Sequence, residues 1–536
     1  MLNLDKIKKI ELIVFLTITI LSLIPILSFN FFATLDGPAH LYNSQLLKNL
    51  VLKQNATLQQ FFQINSIPIP NWMGHSILFF LQLFFSSYIA EKILLVLYVI
   101  GFAYSFRHLI LTISPDNIFF SYLIFPFIFS FFLFLGFYNF LLSIILLFIS
   151  ISYWIKYERT GFTFKRSFIL FLFFILTYFA HIFSFLWLLV TIGIYTGIQF
   201  LLDTTKEINF RDVLSANLKR VFILFCISII PLIFSFIYFK SNLVFTNKTY
   251  LDKIELVDWL KNIRPIIALN KETEEAFTKK IFYLLCGLLS IALYNRINTL
   301  NFKGGMFREK LFSFIKSIIN IKDVWFISSI ILLYLYFKMP DSDGSAGFIS
   351  IRLVFFFFIY LVTWLCVHPF PKWLGIFSAT IILFCHFKLN QFYTQAEKQL
   401  NKVSVECYEA SKKIQANSII LPLNQSGNWL MGHFSNYLGI DKPLVILENY
   451  EADNSYFPLQ WNYNGIPPLK LADMNPNCIN RRKQNSKTEP MQINYVFILG
   501  SMETNSDSCN NLIKQKLNSY FELIYSSDNC RLFKAK

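Results

Sequence analysis

An acidic residue and a histidine lie close together near the start of the chain, in the segment LDGPAH at 35–40. Asp36 and His40 are four residues apart and directly follow a long apolar block. A carboxylate at this position could act as a general base or bind a divalent metal. If Pro38 opens a helix, as its fixed φ favours, Asp36 flanks the helix N-terminus and His40 lies in the first turn. The alternative is structural, with Asp36 as a helix cap and His40 at the membrane interface.

Two cationic residues near the ends of other apolar blocks could bind a phosphate. Arg352 lies just inside the start of one block, where an ionised group is costly and usually functional. Its guanidinium could bind a lipid phosphate through two parallel hydrogen bonds, or it could extend to the lipid headgroups. Lys92 follows Glu91 at the head of another block. It is either a second phosphate ligand or one half of a simple interfacial ion pair.

Other residues could bind a metal or an acceptor molecule. Asp343, in the sequence Asp-Ser-Asp-Gly at 341–344, could bind Mg²⁺ or Mn²⁺ together with Asp36, although this sequence is also common in turns. His433 and Trp461, in the polar C-terminal region, could hold an acceptor over the membrane, and packing explains them equally well. The sequence has no P-loop, GxGxxG or HExxH motif.

The elements that must position these residues are membrane helices. Of the 536 residues, 55% are hydrophobic and 15% are charged, whereas a soluble domain carries about 25% charge. This composition excludes a soluble globular enzyme and a disordered chain. The apolar residues form blocks of about the length that crosses a bilayer, which predicts a polytopic α-helical membrane protein. We predict about eleven spans, at 10–32, 89–112, 118–135, 137–155, 167–181, 183–202, 221–239, 280–295, 323–338, 351–368 and 372–388.

The positions of the basic residues predict the orientation of these spans. The net charge is +16, and the basic residues lie at the ends of apolar blocks, where they contact anionic lipids rather than nucleic acid. If 73–88 lies in the interface, 19 lysines and arginines fall on the cytoplasmic side. The N-terminus is then cytoplasmic, and the loop 33–88 and the region 389–536 are extracytoplasmic.

The region 389–536 is predicted to be a separate soluble α/β domain that follows a membrane domain at 1–388. Short strands are predicted at 418–421, 444–447, 495–499, 521–525 and 531–534, and helices at 391–416 and 510–519. The Asn- and Pro-rich stretch 448–493 is predicted to be irregular. Among the four cysteines of this region, the sequence favours a Cys509–Cys530 pair, although three connectivities are open.

This plan resembles the GT-C superfamily of integral membrane glycosyltransferases, which use polyprenyl-phosphate-linked sugars as donors. Those proteins have a long first extracytoplasmic loop with interfacial helices and an acidic residue near its start, and many have a C-terminal soluble domain. Asp36, the candidate interfacial helices at 38–52 and 73–88, and the C-terminal region match this plan. The family often has paired acidic residues, whereas Gly37 follows Asp36 here. The sequence GFYNF at 136–140 is similar to a turn in bacterial proteins of this kind, without an implied chemistry.

The resemblance implies transfer of a sugar from a polyprenyl-phosphate carrier to an extracytoplasmic glycan, lipid or protein acceptor. Asp36, with His40 near it, would deprotonate or orient the acceptor hydroxyl. Arg352 and Lys92 would neutralise the departing phosphate, because such a leaving group needs charge stabilisation more than an acid. Membrane lipids are the other expected partner, and the resemblance implies a location in a bacterial inner membrane.

Two other functions remain open on the sequence. A flippase or exporter of lipid-linked glycans is one, although its polar residues would lie in the middle of the spans, which here consist mostly of Phe, Leu and Ile. A polysaccharide polymerase or ligase is the other. Such enzymes typically have several arginines in large outer loops, whereas the loop 241–278 has only Arg264.

Overall fold

The chain folds mainly into long helices, as a computed structural model shows. The structure describes residues 4–158, 160–204, 209–242, 248–299, 319–343, 346–462, 469–471, 479–481, 492–501 and 508–536. In chain order the α-helices are α1 (Leu4–Leu21), α2 (Ile24–Leu27), α3 (Gly37–Leu52), α4 (Ala56–Phe61), α5 (Met73–Leu81), α6 (Ser87–Ile113), α7 (Phe131–Phe134), α8 (Tyr138–Glu158), α9 (Phe164–Ala180), α10 (Ile182–Thr204), α11 (Phe210–Asn242), α12 (Lys253–Lys261), α13 (Lys271–Thr299), α14 (Val324–Lys338), α15 (Ile349–Cys366), α16 (Lys372–Ser411) and α17 (Ser508–Tyr520). Further 3₁₀-helices are formed by Pro115–Phe127, Arg264–Ile266, Ile321–Asp323, Trp429–Met431 and Phe434–Gly439.

Within the described residues, nine helical segments are long and apolar enough to cross a membrane. This finding confirms a polytopic helical protein, while the predicted number of eleven spans and their orientation stay predictions. The predicted spans 167–181 and 323–338 correspond to α9 and α14, which are shorter, at 17 and 15 residues. The nine segments are Lys9–Leu27, Ser87–Ile113, Pro115–Phe134, Tyr138–Glu158, Ile182–Thr204, Phe210–Ser241, Lys271–Asn298, Ile349–Cys366 and Lys372–Ser411.

The apolar stretch 73–88 does not form one continuous helix. Helix α5 has nine residues and ends at Leu81, and α6 begins at Ser87 after a turn. At 1.5 Å per residue, nine residues cover about 14 Å, which is half of the hydrocarbon core of a bilayer. Helix α5 is therefore too short to be a span of its own.

The described residues divide into two compact units. The first unit comprises Met1–Ser22, Tyr98–Phe132 and Phe140–Asn390, and the second comprises Leu23–Leu97, Leu133–Asn139 and Gln391–Lys536. The chain passes from the first unit to the second near the predicted boundary at 388–389. The C-terminal residues, however, share their unit with the whole of the predicted loop 33–88 and with the turn before α8.

The first unit is a helical bundle with ion pairs near its helix ends. Helix α14 packs along α15, and Tyr360 of α15 is hydrogen-bonded to Thr191 of α10 at 2.6 Å. Each of three arginines in predicted cytoplasmic segments pairs with an acidic residue. These pairs are Arg107 with Glu11, Arg220 with Glu158, and Arg296 with Asp323. Pairing lowers the cost of placing such charges next to an apolar bundle.

The second unit is built around a small mixed sheet. In chain order the strands are β1 (Phe62–Ile64), β2 (Ile419–Gln425), β3 (Val445–Ile446), β4 (Leu459–Trp461), β5 (Leu469–Leu471), β6 (Ile479–Arg481), β7 (Tyr495–Gly500), β8 (Phe521–Ser526) and β9 (Cys530–Ala535). The central sheet has the order β3-β2-β7-β9-β8, in which β2 is parallel to β3 and β7, and the other pairs are antiparallel. The predicted strands and the helix at 510–519 are confirmed. The predicted irregular stretch 448–493 contains β4, β5 and β6, and most of its remaining residues after 462 lie outside the described part.

Contacts between distant segments join the loop 33–88 to the C-terminal part of this unit. Strand β1 pairs antiparallel with β4, with Phe62 opposite Trp461. The hydroxyl of Tyr42, on α3, donates to the carbonyl of Leu444 at 2.7 Å and accepts from the amide of Ile446 at 3.0 Å. Helix α3 is thus fixed against the end of the sheet at which β3 leads into residues 448–451.

Candidate active site

Asp36 directly precedes α3, and its side chain does not cap the helix. Pro38 lies in the first turn, as predicted, and Asp36 is at the N-cap position without a side-chain hydrogen bond to the helix amides. The amide of Gly37 instead donates to the hydroxyl of Thr34 at 3.0 Å. At the start of α4, by contrast, the side chain of Asn55 accepts from a helix amide at 3.1 Å. The capping alternative for Asp36 is therefore wrong, and its carboxylate faces other partners.

Asp36 is buried beside a histidine from the C-terminal region. The residue is 7% exposed, and its Oδ1 lies 3.6 Å from Nε2 of His433. Burial raises the pKa of Asp36, while the nearby rings of His433 and His40 oppose this rise. The hydroxyl of Tyr450 also opposes this rise of the pKa. The predicted acceptor residue His433 and the predicted base Asp36 therefore share one cluster.

His433 is held between two carboxylates. Its Nδ1 contacts Glu448, whose Oε2 accepts from Asn436 at 2.7 Å and from Ser435 at 3.0 Å. The ring of His433 stacks on that of Tyr450, with centroids 4.2 Å apart. Burial lowers the pKa of His433, but the charges of Glu448 and Asp36 outweigh it and raise this pKa to about 9. At neutral pH the ring is therefore an imidazolium that bridges Glu448 and Asp36.

A second cluster forms around His40, which lies in the first turn of α3. Nδ1 of His40 is 2.6 Å from Oε1 of Glu451, and Nε2 of His75, on α5, is 2.7 Å from its Oε2. All three side chains are buried, and their donor atoms lie within 4.8 Å of one another. Burial alone would raise the pKa of Glu451, but the two histidines lower it to about 2. The pKa of His40 is raised, since Glu451 and Asp36 outweigh the effect of burial.

Helical spacing explains why α3 serves both clusters. His40 and Asn43 are three residues apart and therefore lie on one face of α3, and Asp36 directly precedes the helix, four residues before His40. The amide groups of Asn43 and Asn449 exchange two hydrogen bonds, of 3.1 Å and 2.8 Å. This pair fixes α3 against the segment that carries Glu448 and Glu451.

The turn at 133–139 supports the same face of α3. Gly136 has a φ of +78°, and a Cβ there would lie 2.8 Å from the amide nitrogen of Gly37. The amides of Leu35 and Asp36 donate to carbonyls of this turn at 2.9 Å and 3.1 Å. The Gly136 carbonyl in turn lies 3.0 Å from Nε2 of His40. Gly136, the first residue of the GFYNF sequence for which the resemblance implied no chemistry, therefore contacts His40 and lies directly against the backbone of Asp36 and Gly37.

Arg352 and Asp343 belong to the first unit. The guanidinium of Arg352 lies 5.8 Å from the ring centroid of Phe140, a cation–π contact near the start of α15. The carboxylate of Asp343 accepts from the amide of Ala346 at 2.8 Å, which is the turn alternative for the 341–344 sequence. The roles of Arg352 in phosphate binding and of Asp343 in metal binding stay predictions.

Lys92 and Trp461 lie in the second unit. The carboxylate of Glu91, beside Lys92, accepts from the hydroxyl of Tyr138 at 2.6 Å. Trp461 is buried and stacks on Phe62, with ring centroids 4.5 Å apart. This stacking favours a packing role for Trp461. The binding roles of Lys92 and Trp461 stay predictions.

Sequence reasoning missed Glu448, Glu451 and His75. The two glutamates are about 400 residues from Asp36, and no local spacing links them to it. One signal was available, since two acidic residues three apart directly follow the predicted strand at 444–447. Polar residues at strand ends are often functional, because loops there carry sites that the sheet positions.

No model of a known protein family matches the chain. A search of curated proteins found no match to it either.

The pKa of His433 gives a prediction for stability. A histidine with a raised pKa stabilises the fold below its unfolded value, about 6.5, and this contribution is lost as the pH rises through about 9. Glu448→Gln removes the charge that raises the pKa. We expect this variant to have a lower melting temperature than the unmodified protein at pH 6, and a much smaller deficit at pH 9.5. Thermal unfolding in detergent across this range measures the difference, and a deficit independent of pH would contradict the prediction.

Two buried thiols predict a disulfide other than the one the sequence favours. The Sγ atoms of Cys407 and Cys530 are 3.4 Å apart, and both residues are buried. The side chain of Cys509, the predicted partner of Cys530, lies outside the described residues. In an oxidising compartment we expect a Cys407–Cys530 bond. Peptide mapping of alkylated protein with and without reductant would identify it, and a Cys509–Cys530 peptide would contradict it.

Proposed function

We propose that the protein is a membrane glycosyltransferase of the GT-C type, which moves a sugar from a polyprenyl-phosphate carrier to an acceptor hydroxyl. The observation that carries the proposal is the carboxylate of Asp36, which is buried, does not cap its helix, and lies 3.6 Å from His433. In this proposal Asp36 is the general base that takes the acceptor proton or orients the hydroxyl. The whole-chain resemblance supports the same reaction.

The surroundings of Asp36 suit a base. Burial raises its pKa, and a carboxylate of higher pKa accepts a proton more readily once it is ionised. The imidazolium of His433 compensates for the buried negative charge, and Glu448 fixes the orientation of the ring. The side chain of His433 is 19% exposed, so an acceptor could reach the edge of the cluster.

The reaction would be a displacement at the anomeric carbon of the donor sugar. The bond from this carbon to the acceptor oxygen forms, and its bond to the phosphate oxygen of the carrier breaks. The proton of the acceptor passes to Asp36, and the carrier phosphate leaves as an anion. Arg352 and Lys92 remain the proposed cations for this anion, a role in which preorganised charge is typically the largest catalytic contribution.

The setting of this activity is likewise proposed. The protein would reside in a bacterial inner membrane, with its N-terminus in the cytoplasm and residues 389–536 on the periplasmic side. Its partners would be a polyprenyl-phosphate-linked sugar, a glycan, lipid or protein acceptor, and the surrounding lipids. Nucleic acid is not an expected partner.

The test is sugar transfer by the full-length purified protein in liposomes. Radiolabelled polyprenyl-phosphate sugars are supplied with candidate acceptors, and the expected result is label in a new product at the expense of the donor. Movement of intact donor across the bilayer without transfer would instead support a flippase and would overturn the proposal.

A further inference from the structure

His40 and His75 each have one ring nitrogen that faces away from Glu451, and the hydrogen-bond partner of this nitrogen shows that it carries a proton. Nε2 of His40 is 3.0 Å from the carbonyl oxygen of Gly136, and Nδ1 of His75 is 3.2 Å from that of Asn71. A carbonyl oxygen can only accept, so each of these nitrogens carries a proton. In a neutral imidazole the other nitrogen then has a free lone pair. Nδ1 of His40 and Nε2 of His75 therefore present lone pairs to the carboxylate of Glu451.

This arrangement needs positive charge between the rings and the carboxylate. An ionised carboxylate is also an acceptor only, and it lies 2.6 Å and 2.7 Å from the two ring nitrogens. One additional proton on each ring would satisfy these contacts. Both rings would then be charged imidazolium ions, although the side chains of His40 and His75 are only 5% and 1% exposed and burial disfavours a charge. One divalent cation brings the same charge as these two protons and uses the same three side chains. The net charge of the cluster, +1, is equal in the two states.

We propose that His40, His75 and Glu451 bind a divalent transition metal of the zinc class. The ligand atoms would be Nδ1 of His40, Nε2 of His75 and a carboxylate oxygen of Glu451. Two imidazole nitrogens and one carboxylate are a common set for catalytic zinc, which keeps its fourth position for water or a ligand. Mg²⁺, in contrast, prefers oxygen ligands throughout. The site therefore differs in residues and in metal from the Mg²⁺ or Mn²⁺ site that the sequence suggests at Asp36 and Asp343.

The geometry around the three side chains suits this role. Zinc-bound histidines almost always donate their other N–H to a carbonyl or carboxylate, which fixes the ring and its tautomer. His40 and His75 both make such contacts with backbone carbonyls. The donor atoms lie within 4.8 Å of one another, and zinc–nitrogen bonds are about 2.0–2.1 Å long. A metal ion bound by all three side chains would therefore need the donor atoms to move closer together than they lie in the structure.

The site goes beyond the proposed transfer reaction and does not depend on it. All of its ligands lie within the second unit, on α3, on α5 and on the segment after β3. A protein that binds the metal and transfers no sugar would keep this inference and lose the proposed function. A protein that transfers sugar and binds no metal would do the opposite.

The experiment measures metal bound by the full-length protein in detergent. The protein is treated with a chelator, incubated with Zn²⁺ or Co²⁺ alone, desalted, and analysed for metal content. We expect about one equivalent per chain, and affinity at least about 100-fold lower in His75→Gln and Glu451→Gln, since loss of an outer-shell partner alone costs about 10–100-fold. His386→Gln is the matched control. His386 is also a buried histidine, but it lies in the first unit and is hydrogen-bonded to Ser22 and Asn390.

A measurement on the unmodified protein removes the dependence on folded variants. The X-ray absorption spectrum of the bound zinc reports the number of imidazole ligands, and we expect two together with oxygen. An unmodified protein that retains no zinc or cobalt after desalting would overturn the proposal. Bound zinc without imidazole ligands, or an undiminished metal content in folded His75→Gln and Glu451→Gln proteins, would overturn it as well.

Discussion

Asp36→Asn is expected to abolish sugar transfer while the protein still inserts and folds. Asparagine keeps the shape of the side chain and is among the best residues at a helix N-cap, but it cannot take a proton. A general base typically contributes 10²–10⁴-fold to a rate. We therefore expect transfer to fall by at least about 100-fold. The measurement is transfer from a polyprenyl-phosphate sugar in liposomes, normalised to the amount of folded protein.

A matched substitution separates this effect from a general loss of negative charge. Asp528, in the same unit, is 75% exposed at its side chain and pairs with Lys402 at the surface. Asp528→Asn should leave transfer unchanged, because an exposed ion pair contributes little to stability. If Asp36→Asn were as active as Asp528→Asn, Asp36 would not be the base, and another group in the cluster would have to accept the proton.

Local signals in the sequence predict the elements that carry the site. Pro38 marks the start of α3, and the alternation of short apolar runs with turn residues marks the strands of the second unit. The sequence also predicts that Asp36 flanks the N-terminus of this helix and that His40 lies in its first turn, and the structure places both residues there. Each of these features depends on residues within one or two turns of each other.

The contacts that complete the site depend on residues about 400 positions apart. His433 was a predicted site residue, but nothing in the sequence places it 3.6 Å from Asp36. Two sets of contacts bring these segments together. Strand β1 pairs with β4, and the hydroxyl of Tyr42 is hydrogen-bonded to Leu444, before β3, and to Ile446, the last residue of β3. Such pairings are set by tertiary packing, and a single sequence has no local pattern that encodes them. The contact of Glu451 with His40 depends on such pairings, although the position of both glutamates directly after a predicted strand was a local signal.

Helix α16 shows that a change in hydropathy along the sequence does not locate the end of a helix. The sequence suggests a span at 372–388 and a separate polar helix at 391–416, because the composition changes sharply near 389. The structure has one continuous helix of 40 residues, Lys372–Ser411. No proline lies within it, so the backbone hydrogen bonds continue where the side chains change from apolar to polar. A change in composition marks a change of environment and not necessarily the end of a helix.

Glu451→Ala is expected to produce the largest loss of stability in the second unit. The substitution leaves His40 and His75 buried without their shared carboxylate, and removal of one partner from a buried ion pair typically costs about 3–5 kcal/mol. For a unit of about 150–250 residues this corresponds to a melting temperature lower by roughly 6–20 °C. The measurement is thermal unfolding of chelator-treated protein in detergent at pH 7, so that bound metal does not contribute.

The control is Glu409→Ala, in the same unit. Glu409 is 44% exposed at its side chain and pairs with Lys412 on the surface, so its removal should change the melting temperature little. The pH provides a further check, because the pKa of Glu451 is lowered to about 2. Its contribution is fully present above the ordinary glutamate value, about 4.3, and is lost as the pH falls through about 2. The difference between the Glu451→Ala and unmodified proteins should therefore shrink as the pH falls from 5 towards 2. A Glu451→Ala protein as stable at pH 7 as Glu409→Ala would mean that His40 and His75 can stay buried without their shared carboxylate at little cost, which would contradict the prediction.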